Sequence, residues 1–263
     1  MKSEFKYIYG PVPSWRLGSS LGIDLLSQKD KICNFDCVYC QLGPTKEYAI
    51  RRKVYVPAEE IIKEMKLLPG IKIDYITFSG RGDATLAANL GDAIKAVKLV
   101  REERIAVLTN AALLGLDAIR KELNPADFVI GKLDACSQES LRKINRPGRE
   151  VEFSRILSGI KGFRKRYSGK LALQIMFIED NKDAFDKYIY LANYIKPDEV
   201  QVNTPLRPCN VKPLTKEDVL KIKDYFISAC KGINIISVYD DRSFKDISSI
   251  SDEETLKRRG KIK

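Results

Sequence analysis

The stretch "LGIDLLSQKDKICNFDCVYC" (residues 21–40) runs from a short apolar segment into three closely spaced cysteines. "LGIDLL" (21–26) reads as a β-strand, and the loop behind it carries Cys33, Cys37 and Cys40 at spacings of four and three. Downstream, helical and strand-like runs alternate. "PAEEIIKEMKLL" (57–68) reads as a helix, with Pro57 in its first turn and Ile61, Ile62, Met65 and Leu68 on one face. "YITFSG" (75–80) is a strand that breaks at glycine, and 90–102 is a helix. The alternation continues with strand 105–110, helix 113–123, strand 128–134, a short helix near 137–144 and a longer one over 152–167. Strand 171–178, helix 183–195, strand 199–204, a helix near 215–230 and strand 233–239 complete it.

Strands alternating with helices of this length imply βαβ units and a parallel sheet. Six strands between 21 and 204 each end in a polar or glycine-containing loop, the pattern of the functional face of a β/α barrel. The absence of G-x-G-x-x-G after the first strand argues against a dinucleotide-binding doubly wound sheet. The expected fold is therefore α/β, a partial (β/α)6 TIM-type barrel of parallel strands with a C-terminal extension. One domain is expected over 1–240, followed by a basic tail over 241–263. That tail is expected as a frayed, solvated terminus, the alternative being a helix started at Ser251 with Glu254 completing a capping box.

Composition narrows the chemistry. The 263 residues contain no histidine, which excludes a Ser-His-Asp triad, a His-ligated zinc and a histidine general base. The N-terminus shows no secretory signal and no stretch reaches the roughly 20 apolar residues of a membrane helix. A cytoplasmic location is expected, where thiols serve as metal ligands more often than as disulfides. Lys and Arg number 46 against 35 Asp and Glu, a net charge of +11. This fits a polyanionic partner such as RNA, and fits equally well lysines dispersed over a solvated surface.

A disulfide within the cysteine loop would leave one of the three thiols over. Zinc would require a fourth ligand from Cys136, Cys209 or Cys230, all distant in sequence. Three thiolates on one loop suit an iron–sulfur cluster with one iron left open.

C-x-x-x-C-x-x-C after the first strand of a β/α barrel resembles the radical S-adenosylmethionine (radical SAM) superfamily. "FSGRGDATL" (78–86) stands where that superfamily carries its glycine-rich methionine-binding motif. "LTNAALL", "KLDACSQESLRKINRPG", "VQVNTPLRPCN" and the upstream "YGPVPSWRLGSSLGIDLL" resemble a subgroup related to the archaeal wyosine-base synthases, which remodel a guanosine in tRNA. The resemblance covers residues 9 to about 210.

It implies a [4Fe-4S] cluster on Cys33, Cys37 and Cys40, with S-adenosylmethionine chelating the fourth iron. Reductive cleavage, fed by a donor such as ferredoxin or flavodoxin, would yield methionine and a 5′-deoxyadenosyl radical that abstracts hydrogen from the substrate. A tRNA base is one candidate substrate; a small molecule or a peptide is the alternative. A different class, a non-catalytic metal protein that binds RNA, is also compatible with the residues.

By the same resemblance, Tyr39 should lie beside the adenine. Ser79, Gly80, Gly82 and Asp83 should bind the methionine moiety, although the superfamily more often has Gly-Glu-Pro where this chain has Gly82-Asp83-Ala84. Thr109, Asn110, Asp134, Ser137 and Asn203 map to positions facing cofactor or substrate. Asn145 and Arg146 are further cofactor candidates, the arginine fork suiting a carboxylate. Cys136 and Cys209 follow the fourth and sixth strands, on the face that carries the cluster, and are expected as small packing residues, the alternative being a hydrogen-donating thiol beside the substrate or a part in a second metal centre.

Overall fold

The computed structural model describes residues 5–240, 247 and 249–260. Eight strands form one sheet in sequential order: β1 (Ile8–Ser14), β2 (Gly18–Ile23), β3 (Tyr75–Phe78), β4 (Arg104–Thr109), β5 (Phe128–Lys132), β6 (Lys170–Met176), β7 (Glu199–Asn203) and β8 (Asn234–Ser237). β1 pairs antiparallel with β2, and every later pairing is parallel. The sheet curls into a partial barrel, as the sequence led us to expect.

Period-two alternation explains why these segments pair as they do. Ile76, Ile105, Val107, Val129, Leu171 and Val200 point outward into one large core shared with the helices. Their neighbours Ala106, Phe128, Ile130 and Ala172 point inward and pack with Leu17 in a second cluster. Both faces are thus buried, so the strands read as near-continuous apolar runs. A slip of one residue would exchange the two sets, which fixes the register.

The helices are α1 (Ala58–Lys66), α2 (Leu90–Val100), α3 (Asp117–Leu123), α4 (Gln138–Ser140), α5 (Phe153–Arg164), α6 (Phe185–Ile195), α7 (Lys216–Ala229) and α8 (Glu253–Arg258). α1 buries Ile61 and Met65 as its spacing predicts, and with them Glu64. That carboxylate accepts from the backbone N–H groups of Lys6, Tyr7 and Ile8 at 2.8–3.0 Å, which ties the entry of β1 to the helix. The pairing of a buried acid with three donors offsets its desolvation.

The structure departs from sequence expectation in definite places. β1 has no counterpart in the sequence pattern: "IYGPVPS" carries two prolines, and an edge strand can accommodate their missing donors. The cysteine-loop strand begins at Gly18 and ends at Ile23, leaving Asp24 in the loop. α3 begins at Asp117 rather than 113, after a run of turns. The short helix near 137–144 is a single α-turn followed by a π-helical turn over Leu141–Asn145. In the tail Asp252, not Ser251, caps the helix, its side chain accepting from Thr255 N at 2.8 Å. The expected domain boundary at 240/241 lies outside the described residues. Among the described residues no helix is long and apolar enough to cross a membrane.

Candidate active site

A cavity of about 440 Å³ opens inside the curl. It runs from the cysteine loop, past the C-terminal ends of β3, β4 and β7, to the turn between β1 and β2, and residues from both edges of the sheet line it. Cys33, Cys37 and Cys40 all reach it, as do Tyr39, Ser79, Gly80, Gly82, Asp83, Thr109, Asn110 and Asn203. The fold thus brings together eleven of the fifteen residues that the resemblance marked.

Each thiol has its own nitrogen donor. Phe35 N donates to Cys33 Sγ at 3.4 Å, the Asn145 amide to Cys37 Sγ at 3.4 Å and the Lys31 ammonium to Cys40 Sγ at 3.5 Å. Lys31 is itself buried, bonded to Gly43 O at 2.6 Å and 3.6 Å from Asp36. Burial, with help from the Asp83 charge, pushes the Cys33 thiol well above its ordinary range. Burial pushes Cys37 up to about 11. Without a metal these two sulfurs are therefore neutral thiols at neutral pH, and a bound cation would reverse that balance.

The glycine-rich segment is shaped by contacts that only glycine permits. Gly80 and Gly82 sit at φ +150° and +152°. A Cβ on Gly80 would lie 2.3 Å from the Asp24 carboxyl, and one on Gly82 would lie 1.6 Å from the carbonyl oxygen of Ile32. Ile32 in turn exchanges backbone hydrogen bonds with Arg81 and Asp83, so the glycine segment and the cysteine loop are laced together. Ser79 Oγ is held by Tyr9 Oη at 2.7 Å.

Asp83 carries much of this order. Its carboxylate accepts from Thr85 N at 3.0 Å, Thr85 Oγ1 at 2.5 Å, Thr109 Oγ1 at 3.0 Å and the backbone N–H of Asn110. Burial raises its pKa, against these four donors. The acid expected to touch methionine thus spends its lone pairs on the protein, joining the segment after β3 to the end of β4.

A second buried network surrounds Tyr39. Its hydroxyl donates to Asp134 Oδ2, and the Asn145 amide reaches both Tyr39 Oη and Asp134 Oδ2 at 3.0 Å. The Lys132 ammonium stands 4.4 Å above the Tyr39 ring and 3.3 Å from Asp134. Burial, reinforced by the Asp134 charge, pushes the phenol up and keeps it a donor. Asp134 and Asn145 therefore stand behind the cavity wall rather than on it.

Two marked residues fall elsewhere. Ser137 caps the turn of α4 through Ser140, and Arg146 sits in the left-handed region at φ +44°, with its carbonyl bonded to Tyr48 Oη; neither lines the cavity. Cys136 and Cys209, which follow β5 and β7, do not line it either. Cys136 Sγ accepts from Ser140 Oγ at 3.9 Å, and Cys209 packs behind the loop with Tyr39 and Ile178. Residues that the sequence does not flag also matter: Lys31, Lys132, Asp24, Tyr9 and, from the tail, Arg259. The apolar neighbourhoods of Tyr9 and Asp24 give no local signal, since Ser79, Arg81 and Arg259, which they hold, lie more than 50 residues away.

Among the described residues no three Cys, Asp or Glu side chains converge on a single-ion position. A closed structural zinc site needs four such donors. Three separate thiols on the wall of one cavity, each with its own donor, fit a cluster that keeps one coordination position for a ligand.

Comparison with known proteins agrees. Residues 31–192 match the family model described as the radical SAM superfamily. A UPF0026 protein of Synechocystis sp. is 40% identical over 218 residues, covering 82% of this chain and 81% of that protein. A probable GTP 3′,8-cyclase of Saccharolobus islandicus is 25% identical over 206 residues, covering 77% of this chain and 64% of the cyclase. The fold is shared with Streptococcus suis SuiB bound to S-adenosylmethionine, at TM-score 0.60 and 13% identity over 82% of this chain. This chain covers 46% of the SuiB chain, about half its length. Archaeal TYW1 has the same fold at TM-score 0.56 and 14% identity, over 80% of this chain and 72% of that one.

Proposed function

The chain belongs to the radical SAM superfamily, and from that premise we propose an enzyme that abstracts hydrogen from a nucleotide substrate, a tRNA base first among the candidates. The cofactors of the superfamily are a [4Fe-4S] cluster and S-adenosylmethionine. Bound together they supply one-electron cleavage of the sulfonium and a carbon radical strong enough to take hydrogen from an unactivated position.

In this reading Cys33, Cys37 and Cys40 hold the cluster. Phe35 N, Asn145 and Lys31 donate to their sulfurs and bias the potential toward reduction. Ser79, Gly80 and Gly82 would hold the cofactor's methionine end, on an edge that Asp83 and Asp24 fix from behind. Thr109 and Asn110, at the end of β4, and Asn203, at the end of β7, present polar groups to cofactor or substrate. Tyr39, kept neutral by burial, orients its ring through Asp134 and Asn145.

The observation that carries this reading is the meeting of three thiols and the two-glycine edge on one cavity, with no fourth cysteine on its wall among the described residues. A nucleotide substrate is supported by the charge of +11 and by the cyclase named for GTP among the relatives. The test is anaerobic incubation of reconstituted protein with S-adenosylmethionine and a strong reductant, with and without bulk tRNA. Formation of 5′-deoxyadenosine and methionine is expected, together with a changed nucleoside in the digested tRNA. A colourless protein with one zinc per chain and no cofactor cleavage would instead identify the non-catalytic metal protein.

A further inference from the structure

The cavity extends well past the cysteine loop, and two arginines line it. Arg16 lies in the turn between β1 and β2, at the opposite end of β2 from that loop. Six strand residues separate the two, about 17 Å of extended chain. Its Nε is buried and has no hydrogen-bond partner among the described residues. The guanidinium lies 5.2 Å from the ring of Trp15, the one tryptophan of the chain.

Arg207, in the loop after β7, lines the same cavity and is half-buried. Its hydrogen bond is a long one, 3.5 Å to the carbonyl of Gly260. Neither arginine forms an ion pair with a carboxylate among the described residues. The acids nearby are already engaged: Glu199 with Lys170 at 2.7 Å and with Gln201 and Asn234, Asp83 with its four donors. Burial and the charge of Arg207 lower the pKa of Arg16 to about 10, opposed by Glu199. Two guanidiniums that repel one another across a cavity, one with a buried donor unused, are costly unless a ligand brings negative charge between them.

We infer that Arg16 and Arg207 form the anion subsite of the substrate and that its ligand is a phosphate group, with Trp15 beside it. The charge decides between anions. Two guanidiniums match a phosphate monoester, which carries about two negative charges at neutral pH, better than a single carboxylate. Arg16 sits at the other end of β2 from the cysteine loop, whereas Arg207 reaches Gly260, which packs on Gln41 beside Cys40, so the assignment to substrate rather than cofactor is read from the titration below. This inference rests on the proposed function and narrows it to a phosphate-bearing substrate. A mononucleotide presents a phosphate monoester, whereas an RNA backbone presents diesters of one negative charge each, so the test must separate them.

The experiment is calorimetric titration of the reconstituted protein with guanosine 5′-monophosphate, guanosine, inorganic phosphate and bulk tRNA, repeated on Arg16→Gln, Arg207→Gln and Arg16→Lys. The nucleotide should bind at least about tenfold tighter than the nucleoside, the scale of one charged hydrogen-bonded pair. Each Gln variant should remove most of that advantage, while Arg16→Lys, which keeps charge without the fork, should be intermediate. Iron content and thermal midpoint in each variant establish that the fold is intact. If the loss is seen with tRNA and not with the mononucleotide, the phosphate is that of a nucleic acid and the subsite stands. The inference is overturned if neither ligand loses affinity in the variants. It is overturned equally if Arg16→Gln weakens S-adenosylmethionine as much as phosphate, since the guanidinium would then serve the cofactor's carboxylate. Absence of cofactor cleavage in the unaltered protein would count against the proposed enzyme instead, and is read in a separate assay.

Discussion

Arg259, four residues from the end of the chain, places its guanidinium Nε 3.1 Å from Asp24 Oδ2, and both side chains are fully buried. The other oxygen of Asp24 accepts from Leu26 N and Arg81 N at 3.1 Å, and its carboxyl abuts Gly80. The tail therefore braces the glycine-rich segment from behind. Arg259 also stacks 4.7 Å over Tyr9, whose hydroxyl holds Ser79.

Breaking this pair should be expensive. Removing one partner of a buried ion pair typically costs about 3–5 kcal/mol. Arg259→Gln is expected to lower stability by that order and to weaken S-adenosylmethionine binding, while the iron content stays at four per chain. Denaturant unfolding and a cofactor titration check both halves. In a double-mutant cycle, Asp24→Asn with Arg259→Gln should cost clearly less than the sum of the single changes; additivity would mean the pair is not coupled.

The two glycines of the same edge should fail differently. Gly80→Ala drives a methyl into Asp24, so the expected result is an intact cluster with at least about tenfold weaker cofactor binding, a loss of about 1.4 kcal/mol or more. Gly82→Ala drives it into the backbone of Ile32, next to Cys33, so cluster assembly itself should fail. Iron analysis and calorimetry on the two variants discriminate. Equal iron in both would show that the lacing of the two loops does not matter for assembly.

How much of the fold and the site is legible in the sequence depends on the range of the interactions. The strands between 75 and 203 and the cysteine loop announce themselves through local period and spacing, and the structure has them within a few residues. β1 is hidden because Pro11 and Pro13 contradict a strand unless it lies at an edge, which only the assembled sheet reveals. Asp83 stands out in the sequence, yet nothing in "GRGDATL" tells that Thr109 and Asn110 will claim its oxygens. The tail reads as frayed because a run such as "LKRRGKIK" is locally a solvated stretch, and the buried partner of Arg259 stands 235 residues away. Arg16 lies within a motif, but its isolation is invisible there: lack of a partner is a property of the fold.

Lys31 offers a redox test. Its ammonium lies 3.5 Å from Cys40 Sγ in a buried setting, where a positive charge favours the more reduced, more negative cluster. Lys31→Met should move the midpoint potential of the cluster to more negative values with iron content unchanged. Redox titration followed by electron paramagnetic resonance measures it. A potential equal to that of the unaltered protein would assign Lys31 to loop structure alone, through Gly43 and Asp36.

The last prediction concerns loading of the thiols. Cys37 is pushed up to about 11 by burial and Cys33 higher still, so in cluster-free protein both are protonated at pH 7. Iron binds thiolates, and assembly must therefore release protons. Raising pH from 7 toward 9 increases the thiolate fraction of each, by about tenfold per unit while pH remains below the pKa. The initial rate of cluster reconstitution should accordingly rise severalfold across that range, followed by visible absorption. Asn145→Ala removes the amide that favours the Cys37 thiolate and should slow assembly at each pH, leaving the slope intact. Alanine at Cys33, Cys37 or Cys40 should abolish both the cluster and 5′-deoxyadenosine formation. A triple-alanine variant that still bound four irons and cleaved the cofactor would place the cluster on other residues.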